Sequence, residues 1–140
     1  DDASITAFYT ILLEGDDIHD PVADTARGIL DGHVFLSREL ADSGHYPAID
    51  IEKSISRVMP KVTTKEHQVA ARRLKMLYSR YMRGRELLSM GAYVPGGDAE
   101  LDLAIKTWPQ IRAYLQQEAE ESHSMDNCIQ ELMKIVGAAK

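Results

Sequence analysis

The sequence predicts an α/β segment followed by a bundle of helices. Up to about residue 60, apolar runs rich in β-branched residues alternate with short helical patterns, which is typical of an α/β arrangement. Beyond that point, apolar side chains recur at intervals of three, four and seven residues, as they do along one face of a helix. We therefore expect two units, residues 1–61 and residues 62–140.

The first unit begins with a strand pattern. The segment from Ile5 to Leu13 is almost continuously apolar and rich in β-branched and aromatic side chains, as in a strand buried on both faces of a parallel sheet. Pro21 suits the first turn of a helix, because its missing N–H has no partner there in any case. Val22, Ala26 and Ile29 would lie along one side of that helix.

A second strand and a second helix follow. His33 to Leu36 predicts the strand, and Ser37 to Ala41 predicts a brief helix that stops at Gly44. The order strand, helix, strand, helix predicts βαβ packing with parallel strands. Because two strands cannot form a covered parallel sheet, we expect this unit to be the tail end of a larger α/β domain.

The second unit carries three helical patterns joined by turns, which predicts a small bundle. The first helix begins near Thr63, with Glu66 placed to complete a capping box, and Gly91 is a natural stop. Its apolar stripe consists of Ala70, Leu74, Leu77, Tyr81 and Leu88.

The second and third helices also carry recognisable start signals. Asp98 caps the second helix, and Pro109 within it should kink the helix or restart it. Its apolar face consists of Leu101, Ile105, Trp108, Ile111 and Leu115. Ser124 caps the third helix, which Gly137 ends. Its apolar face consists of Met125, Cys128, Ile129, Leu132 and Val136.

Composition limits the classes of partner. The 140 residues are 44% hydrophobic and carry a net charge of −6, so the whole chain is not attracted to nucleic acid or anionic lipid. The single cysteine, Cys128, cannot form an internal disulfide, which fits a reducing compartment. No apolar run approaches the roughly 20 residues that cross a bilayer. A cytosolic protein is the simplest interpretation.

The usual signatures of a self-contained catalytic site are missing from these 140 residues. No Gly-x-x-x-x-Gly-Lys-Ser/Thr sequence occurs, so nothing here cradles a triphosphate. The five histidines lack the spacing of a zinc site, and we expect no metal ligands. The acidic run from Glu14 to Asp20 could bind a cation, but a solvated loop is the better interpretation. Cys128 is expected to be a core residue.

Arg57 is the residue that most needs an explanation. It lies in a short apolar passage, and a guanidinium that is always charged needs oxygen acceptors. From the residues alone, a structural salt bridge to Asp50 or Glu52 is favoured over a functional role. Tyr46, directly before Pro47, is by the same reasoning a packing aromatic.

The segment Gly44-His-Tyr-Pro-Ala-Ile-Asp-Ile-Glu-Lys-Ser-Ile-Ser-Arg-Val-Met59 resembles the rotary-type ATPases, which include ATP synthase catalytic subunits and type III secretion ATPases. Ser4–Thr10, Asp20–Asp24 and Leu30–Arg38 are similarly placed landmarks. Ser89–Tyr93 and Ile105–Pro109 resemble the flagellar export ATPases most, with the virulence-type secretion ATPases next.

This resemblance implies the end of a RecA-like parallel-sheet nucleotide-binding domain followed by a C-terminal helical bundle. It implies that Arg57 acts as an arginine finger towards the γ-phosphate bound by a neighbouring subunit. Tyr46 would stack on adenine, and Tyr114 would lie on the other side of the base. ATP and Mg²⁺ would be bound mainly by residues outside these 140, because the phosphate-binding loop is missing, and the chain alone should not hydrolyse ATP.

The resemblance also implies an assembly and a location. The intact protein would be a homohexamer that energises protein export. Its partners would be export-apparatus regulator, stalk and gate proteins and chaperone–substrate complexes, and it would lie in the cytoplasm, peripheral to the inner membrane. Asp2-Ala3 departs from the family, which usually has glycine just before the position of Ser4.

Two alternatives stay open. One is a rotary ATP synthase subunit of the same fold, which would need a non-identical companion subunit. The other is a non-enzymatic helical docking module for export-apparatus partners, in which the α/β part is only a support.

Overall fold

The computed structural model describes residues 3–13 and 20–138. Within these residues, three long helices pack into a bundle, and a two-stranded sheet with short helices adjoins it. The elements in chain order are α1 (Pro21–Ile29), β1 (Gly32–Leu36), α2 (Arg38–Asp42), β2 (Ile49–Ser56), α3 (Met59–Val62), α4 (Lys65–Ser89), α5 (Ala99–Leu115) and α6 (Met125–Ala138).

Helix α1 forms where the sequence predicts it. The Asp20 carboxylate accepts hydrogen bonds from the amides of Val22 (2.9 Å) and Ala23 (2.8 Å), which satisfies two donors that a helix N-terminus leaves open. The predicted apolar side is wrong. Val22 and Ile29 are 68% and 77% exposed, whereas Ala23 is buried, because the described part of the chain packs against the Ala23 side.

The two strands pair antiparallel. The parallel βαβ unit was predicted between Ile5–Leu13 and His33–Leu36, and it does not form among the described residues, because residues 3–13 carry no strand. Helix α2 is only five residues long, and the turn at Gly44, with a φ of 73°, then reverses the chain. Parallel strands need a crossover that returns the chain to the same end of the sheet, and this short reversal cannot provide one. A left-handed φ of this kind favours glycine at position 44.

Strand β2 was not predicted as a strand, and it is irregular. Phe35 pairs with Asp50 and His33 with Ile55, so one residue of β1 faces the four residues 51–54 of β2. The bulge is held locally: the Asp50 carboxylate accepts from the amide of Lys53 at 3.0 Å, and the Ser54 hydroxyl accepts from the amide of Phe35 at 2.9 Å. A bulge of this kind bends the strand away from a flat ladder.

The strand predicted from Ile5 to Leu13 does not form. The structure assigns neither helix nor strand to residues 3–13, and Ile5, Phe8 and Leu12 are 95%, 94% and 94% exposed. A strand is stabilised by hydrogen bonds to a neighbouring strand, and none of the described residues provides that neighbour.

The predicted three-helix bundle is confirmed, with small shifts at the helix ends. Helix α4 is capped by Thr64, whose hydroxyl accepts from the amide of His67 at 3.3 Å, and not by Thr63. The Thr63 hydroxyl donates instead to the Met59 carbonyl at 2.6 Å, within the preceding turn. Helix α4 ends at Ser89, just before Gly91, which has a φ of 67°.

Helices α5 and α6 begin at their predicted caps, although α6 ends at Ala138, one residue beyond the predicted stop, and Met125 of its predicted apolar face is 67% exposed. The Asp98 carboxylate accepts from the amide of Leu101 at 3.0 Å, and the Ser124 hydroxyl accepts from the amide of Asn127 at 3.2 Å. Pro109 does not restart α5, which continues through it to Leu115. The fully buried face of α5 consists of Leu101, Ala104, Thr107 and Ile111, so it is rotated slightly from the predicted face.

The core lies between the three long helices. Leu77 of α4 and Ile111 of α5 are completely buried, and Trp108 stacks on Tyr81 with ring centroids 3.9 Å apart. Ile51, from the bulge of β2, packs against this core. The sheet is therefore attached to the bundle through an apolar side chain, at the place where β2 contacts α4.

The crossing of α4 and α5 generates a prediction about Gly84. A Cβ at Gly84 would collide with the side chain of Leu101, which is 96% buried, whereas a Cβ at Gly28 of α1 would meet nothing within 4 Å. Overpacking costs about 1–3 kcal/mol, and the helix propensity of Ala returns at most about 1 kcal/mol.

We therefore expect Gly84→Ala to lower the free energy of unfolding by roughly 1–2 kcal/mol, as measured by urea denaturation of the chain followed by circular dichroism. Gly28→Ala is the matched control and should leave stability equal or slightly higher, because it adds helix propensity without a clash. Equal effects of the two substitutions would contradict the close packing at Gly84.

Candidate functional site

Arg57 follows the last residue of β2 and lies against the end of α1. Its Nη1 donates to the carbonyl of Gly28 at 3.1 Å, and its Nη2 donates to the carbonyl of Arg27 at 2.9 Å. Its amide donates to the Asp31 carbonyl at 2.7 Å, which places it beside the turn between α1 and β1. The last carbonyls of a helix carry partial negative charge and lack partners within the helix, so they suit a guanidinium.

The salt bridge from Arg57 to Asp50 or Glu52 is not formed. The Asp50 carboxylate pairs instead with the ammonium of Lys53 at 3.3 Å and caps the bulge of β2. Arg57 lies beyond the far end of the bulge and turns towards α1. Its side chain is exposed, and the acceptors that it binds among the described residues are neutral, so its positive charge is not cancelled by a carboxylate.

Tyr46 lies in the connection between α2 and β2, at the other end of the strand from Arg57. Its side chain is 57% exposed, and its bond to Pro47 is cis. Its carbonyl accepts a hydrogen bond from the amide of Gln117, 3.0 Å away, just beyond the end of α5. The ring is therefore available for contact with another molecule, while the main chain is tied to the helical unit.

Tyr114 lies near the end of α5 and is half-buried. Its hydroxyl donates to the carbonyl of Cys128 on α6 at 3.2 Å. Burial raises the pKa of the Tyr114 hydroxyl above its ordinary value, and the neighbouring Cys128 and Glu131 raise it further. The side chain therefore stays a neutral phenol at physiological pH and links α5 to α6.

A cavity of about 640 Å³ lies between β2, the end of α5 and one side of α6. Its walls include the apolar side chains of Pro47, Ile51, Tyr114 and Ile135 and the polar side chains of Gln117, Glu131 and Lys134. The structure thus brings Tyr114 and the residue that follows Tyr46 to one cavity. It does not bring Arg57 there, because β2 separates Arg57 from Tyr46.

Two residues of this region were missed by sequence reasoning. Gln116 donates through its side-chain amide to the carbonyl of Gly44 at 3.5 Å, and its side-chain oxygen accepts from Nε of Arg112 at 3.2 Å. The Gln117 contact described above is made by the main chain. Main-chain contacts between segments so far apart in the sequence leave no mark in residue type, so no signal could have indicated Gln117.

The remaining candidates do not form a site. Among the residues that the structure describes, no three side chains of His, Cys, Asp or Glu converge to hold a metal ion. The acidic run from Glu14 to Asp20 lies outside the described residues apart from Asp20, which caps α1. Cys128 is half-buried on α6. None of the described helices is long and apolar enough to cross a membrane.

Two protein-family models match the chain. The T3SS EscN ATPase C-terminal domain matches residues 63–134, just over half of the chain. The nucleotide-binding domain of the ATP synthase alpha/beta family matches residues 1–56.

Similar curated proteins indicate the same family as the two family models. The chain is 62% identical over 122 residues to the flagellum-specific ATP synthase of Pseudomonas aeruginosa, covering 87% of this chain and 27% of the relative. It is 44% identical over 135 residues to the type 3 secretion system ATPase of Pseudomonas syringae pv. tomato, covering 96% of this chain and 30% of the relative. The chain thus spans less than a third of the length of these relatives.

Solved structures agree with this assignment. The assembled ATPase EscN from the type III secretion system of enteropathogenic E. coli superposes with a TM-score of 0.92 at 47% identity, covering 95% of this chain and 32% of that one. EscN in complex with its central stalk EscO gives a TM-score of 0.79 at 44% identity, covering 83% and 29%. The predicted fold class, the end of a nucleotide-binding domain followed by a helical part, is confirmed. The chain belongs to the family of flagellum-specific and type III secretion ATPases and corresponds to their C-terminal part.

Proposed function

We propose that this chain is the C-terminal part of an ATPase that hydrolyses ATP to energise flagellar or type III protein export. The observation that carries the proposal is the membership of both units in ATPase families that occur together in these proteins. Residues 1–61 would complete the nucleotide-binding domain, and residues 62–140 would form the helical domain.

Arg57 would act as an arginine finger in a homohexamer. Its guanidinium is exposed, and the acceptors that hold it are neutral main-chain carbonyls. Directed at the γ-phosphate of the adjoining subunit, it would stabilise the negative charge that develops on the phosphoryl oxygens as water attacks. Such a finger accelerates phosphoryl transfer by about 10³–10⁵.

Tyr46 and Tyr114 would contact the adenine of the nucleotide bound by their own subunit. The exposed ring of Tyr46 and the cavity beside Tyr114 support this assignment. Stacking of a base on an aromatic ring contributes about 1–3 kcal/mol where it has been measured with single strands. Tyr46 and Arg57 flank β2 at opposite ends, which supports their serving two different nucleotides.

The phosphates of ATP would be bound by residues outside this chain. The 140 residues contain no phosphate-binding loop, so the chain alone should be inactive. Mg²⁺ would supply charge neutralisation on the β- and γ-phosphates, but the described residues offer no converging set of ligands for it. The roles proposed for this chain are therefore to orient the base and to stabilise charge in a neighbouring site.

The relatives support the proposed assembly and its stalk partner. EscN is known as an assembled ATPase and in complex with a central stalk, so we propose a ring with a stalk partner for this protein as well. Regulator and gate proteins and chaperone–substrate complexes would be further partners, on the cytoplasmic side of the export apparatus. A ring with a second, non-identical ATPase subunit would instead favour the ATP synthase alternative.

Docking by the helical domain is a second candidate function, and the two functions are compatible. The last turn of α4 and the turn that joins it to α5 expose three apolar side chains, Leu87, Met90 and Val94, at 46%, 70% and 70%. Contiguous exposed apolar residues often mark a protein-binding surface. We propose that this turn contacts the stalk protein.

The first test replaces Arg57 with Ala in the full-length protein. Turnover should fall by about 10³-fold or more, because the charge on the γ-phosphate loses its partner, while ATP affinity and ring assembly are kept. Phosphate release, nucleotide binding and sedimentation measure the three properties. Lys61→Ala, which removes another exposed cation near this end of β2, is the control and should leave turnover unchanged. Normal turnover of Arg57→Ala would remove the finger role.

Mixed rings test whether Arg57 acts on the neighbouring subunit. Subunits with Arg57→Ala keep their own phosphate-binding residues, whereas subunits inactivated in the phosphate-binding loop keep Arg57. A mixture should regain activity at interfaces where an intact loop faces an intact Arg57. If the mixture is no more active than either variant alone, the action across the interface is ruled out.

The second test replaces Tyr46 with Ala. We expect the KM for ATP to rise roughly tenfold, and the preference for ATP over GTP to shrink, because stacking on the base is lost. Tyr46→Phe keeps the ring and should behave like the unchanged protein. Steady-state kinetics with both nucleotides provide the measurement, and an unaltered KM would assign Tyr46 to packing.

The third test concerns docking. Val94→Asp should weaken binding of the stalk protein of the same export system at least tenfold, as measured by titration calorimetry, because a carboxylate would be buried against an apolar partner. Val62→Asp on α3 is the matched control, since Val62 is 72% exposed and Val94 is 70% exposed. Equal loss of binding, or none in either variant, would contradict docking at this turn.

A further inference from the structure

The segment that carries Tyr46 is attached to the helical unit at one small region. The carbonyl of Tyr46 accepts from the amide of Gln117 at 3.0 Å, and the carbonyl of Gly44 accepts from the side-chain amide of Gln116 at 3.5 Å. Both donors belong to the two residues that directly follow α5. These contacts join positions about 70 residues apart in the sequence, so they hold the two units together at this point.

The neighbourhood of these contacts supports their being a defined junction. Arg112 of α5 donates to the side chain of Gln116 at 3.2 Å, which orients that side chain towards Gly44. Burial lowers the pKa of His45, and the positive charge of Arg112 lowers it further. Pro47 and Gln117 line the same cavity. Gly44 and Tyr46 are thus bonded to the two residues that follow α5.

The Tyr46 ring needs such an attachment to hold its position. The side chain is 57% exposed, so packing restrains it weakly, and the direction of its Cα–Cβ bond is set by the main chain on either side. Helix α5 ends at Leu115, and Gln116 has an extended conformation (φ −102°, ψ 144°). The amide of Gln117 therefore points away from the helix and is free to bind the Tyr46 carbonyl.

We propose that Gln117 is a positioning residue for the nucleotide, acting through its main-chain amide on Tyr46, with Gln116 as a supporting contact to Gly44. The inference rests on the proposed contact of Tyr46 with adenine. The end of α5 sets the position of the Tyr46 ring that contacts the adenine, so the helical unit contributes to nucleotide affinity without touching the phosphates. Loss of the hydrogen bond between Gln117 and Tyr46 raises the KM for ATP and leaves the rate of the chemical step unchanged.

Gln117→Pro in the full-length protein tests the proposal, because proline has no N–H to donate. The extended conformation of Gln116 is the one that a residue before proline prefers, and proline is common just after a helix C-cap, so the end of α5 itself tolerates the change. The proline Cδ takes the place of the amide hydrogen, so the Tyr46 carbonyl is pushed away as well as left unpaired. We expect the KM for ATP and the Kd for ADP to rise at least roughly three- to tenfold, with kcat within about twofold.

Glu118→Ala is the matched control. It removes an exposed side chain of the same connection, outside the cavity lining, and keeps the amide of Gln117, so KM should stay unchanged. A rise in KM equal to that of Gln117→Pro would assign the effect to a general disturbance of this connection and overturn the proposal. If Gln117→Pro fails to fold, Gln116→Leu replaces it, and a KM raised at least twofold with kcat retained is expected. An unchanged KM in that variant would overturn the proposal.

The double variant with Tyr46→Ala separates this proposal from the proposed function. If Gln117 acts through Tyr46, Gln117→Pro adds less than about twofold to KM in a Tyr46→Ala background, because the ring to be positioned is gone. Full additivity overturns positioning. If Tyr46→Ala raises KM and Gln117→Pro does not, the adenine contact of Tyr46 stands and only the positioning role of Gln117 is wrong. If Tyr46→Ala leaves KM unchanged, the adenine contact itself is wrong, and the inference falls with it.

Discussion

Pairing with β1 holds β2 in place, and as a result the two ends of β2 lie in different surroundings. At one end, the strand is followed by Arg57, whose guanidinium is held by the last carbonyls of α1. At the other end, it is preceded by Tyr46, whose carbonyl is held by Gln117 beyond α5. Between them, Ile51 packs into the core of the bundle. A change in this pairing would therefore move both residues on which the proposed function rests.

The helical bundle was predictable because its signals are local. The spacing of Leu74, Leu77, Leu101 and Ile111 and the caps at Asp98 and Ser124 depend on residues within a few turns of one another. The differences from the prediction are small: α4 starts one residue later, and the buried face of α5 is slightly rotated. These shifts follow from packing against neighbouring helices, which a single-helix pattern does not contain.

The sheet was harder to predict because strand pairing is non-local. Strand β2 alternates isoleucine with polar residues from Ile49 to Ser56, and only Lys53 breaks the alternation, in the part that bulges and is held by side-chain caps. The segment from Ile5 to Leu13 has a strong strand pattern but no pairing neighbour among the described residues. The strand prediction was thus confirmed at His33–Leu36, was wrong for the described residues Ile5–Leu13, and missed β2.

The candidate site divides in the same way. The residue types at Arg57, Tyr46 and Tyr114 made them candidates, and the family resemblance supplied their proposed roles. Their contacts are with main-chain groups: carbonyls of Arg27 and Gly28 for Arg57, and the carbonyl of Cys128 for Tyr114. Every residue has such groups, so the sequence favoured a carboxylate partner for Arg57 that the fold does not use.

The solvent-exposed apolar segment at residues 3–13 has a practical consequence for experiments with this polypeptide. Large side chains such as Ile5, Phe8 and Leu12 lie almost wholly in water, beside main-chain donors and acceptors that can recruit a second molecule. Preparations of the 140 residues by themselves will tend to aggregate at high protein concentration and at high salt concentration. Masses measured by light scattering on such material will include this aggregation, so the native assembly is better measured on a longer form of the protein.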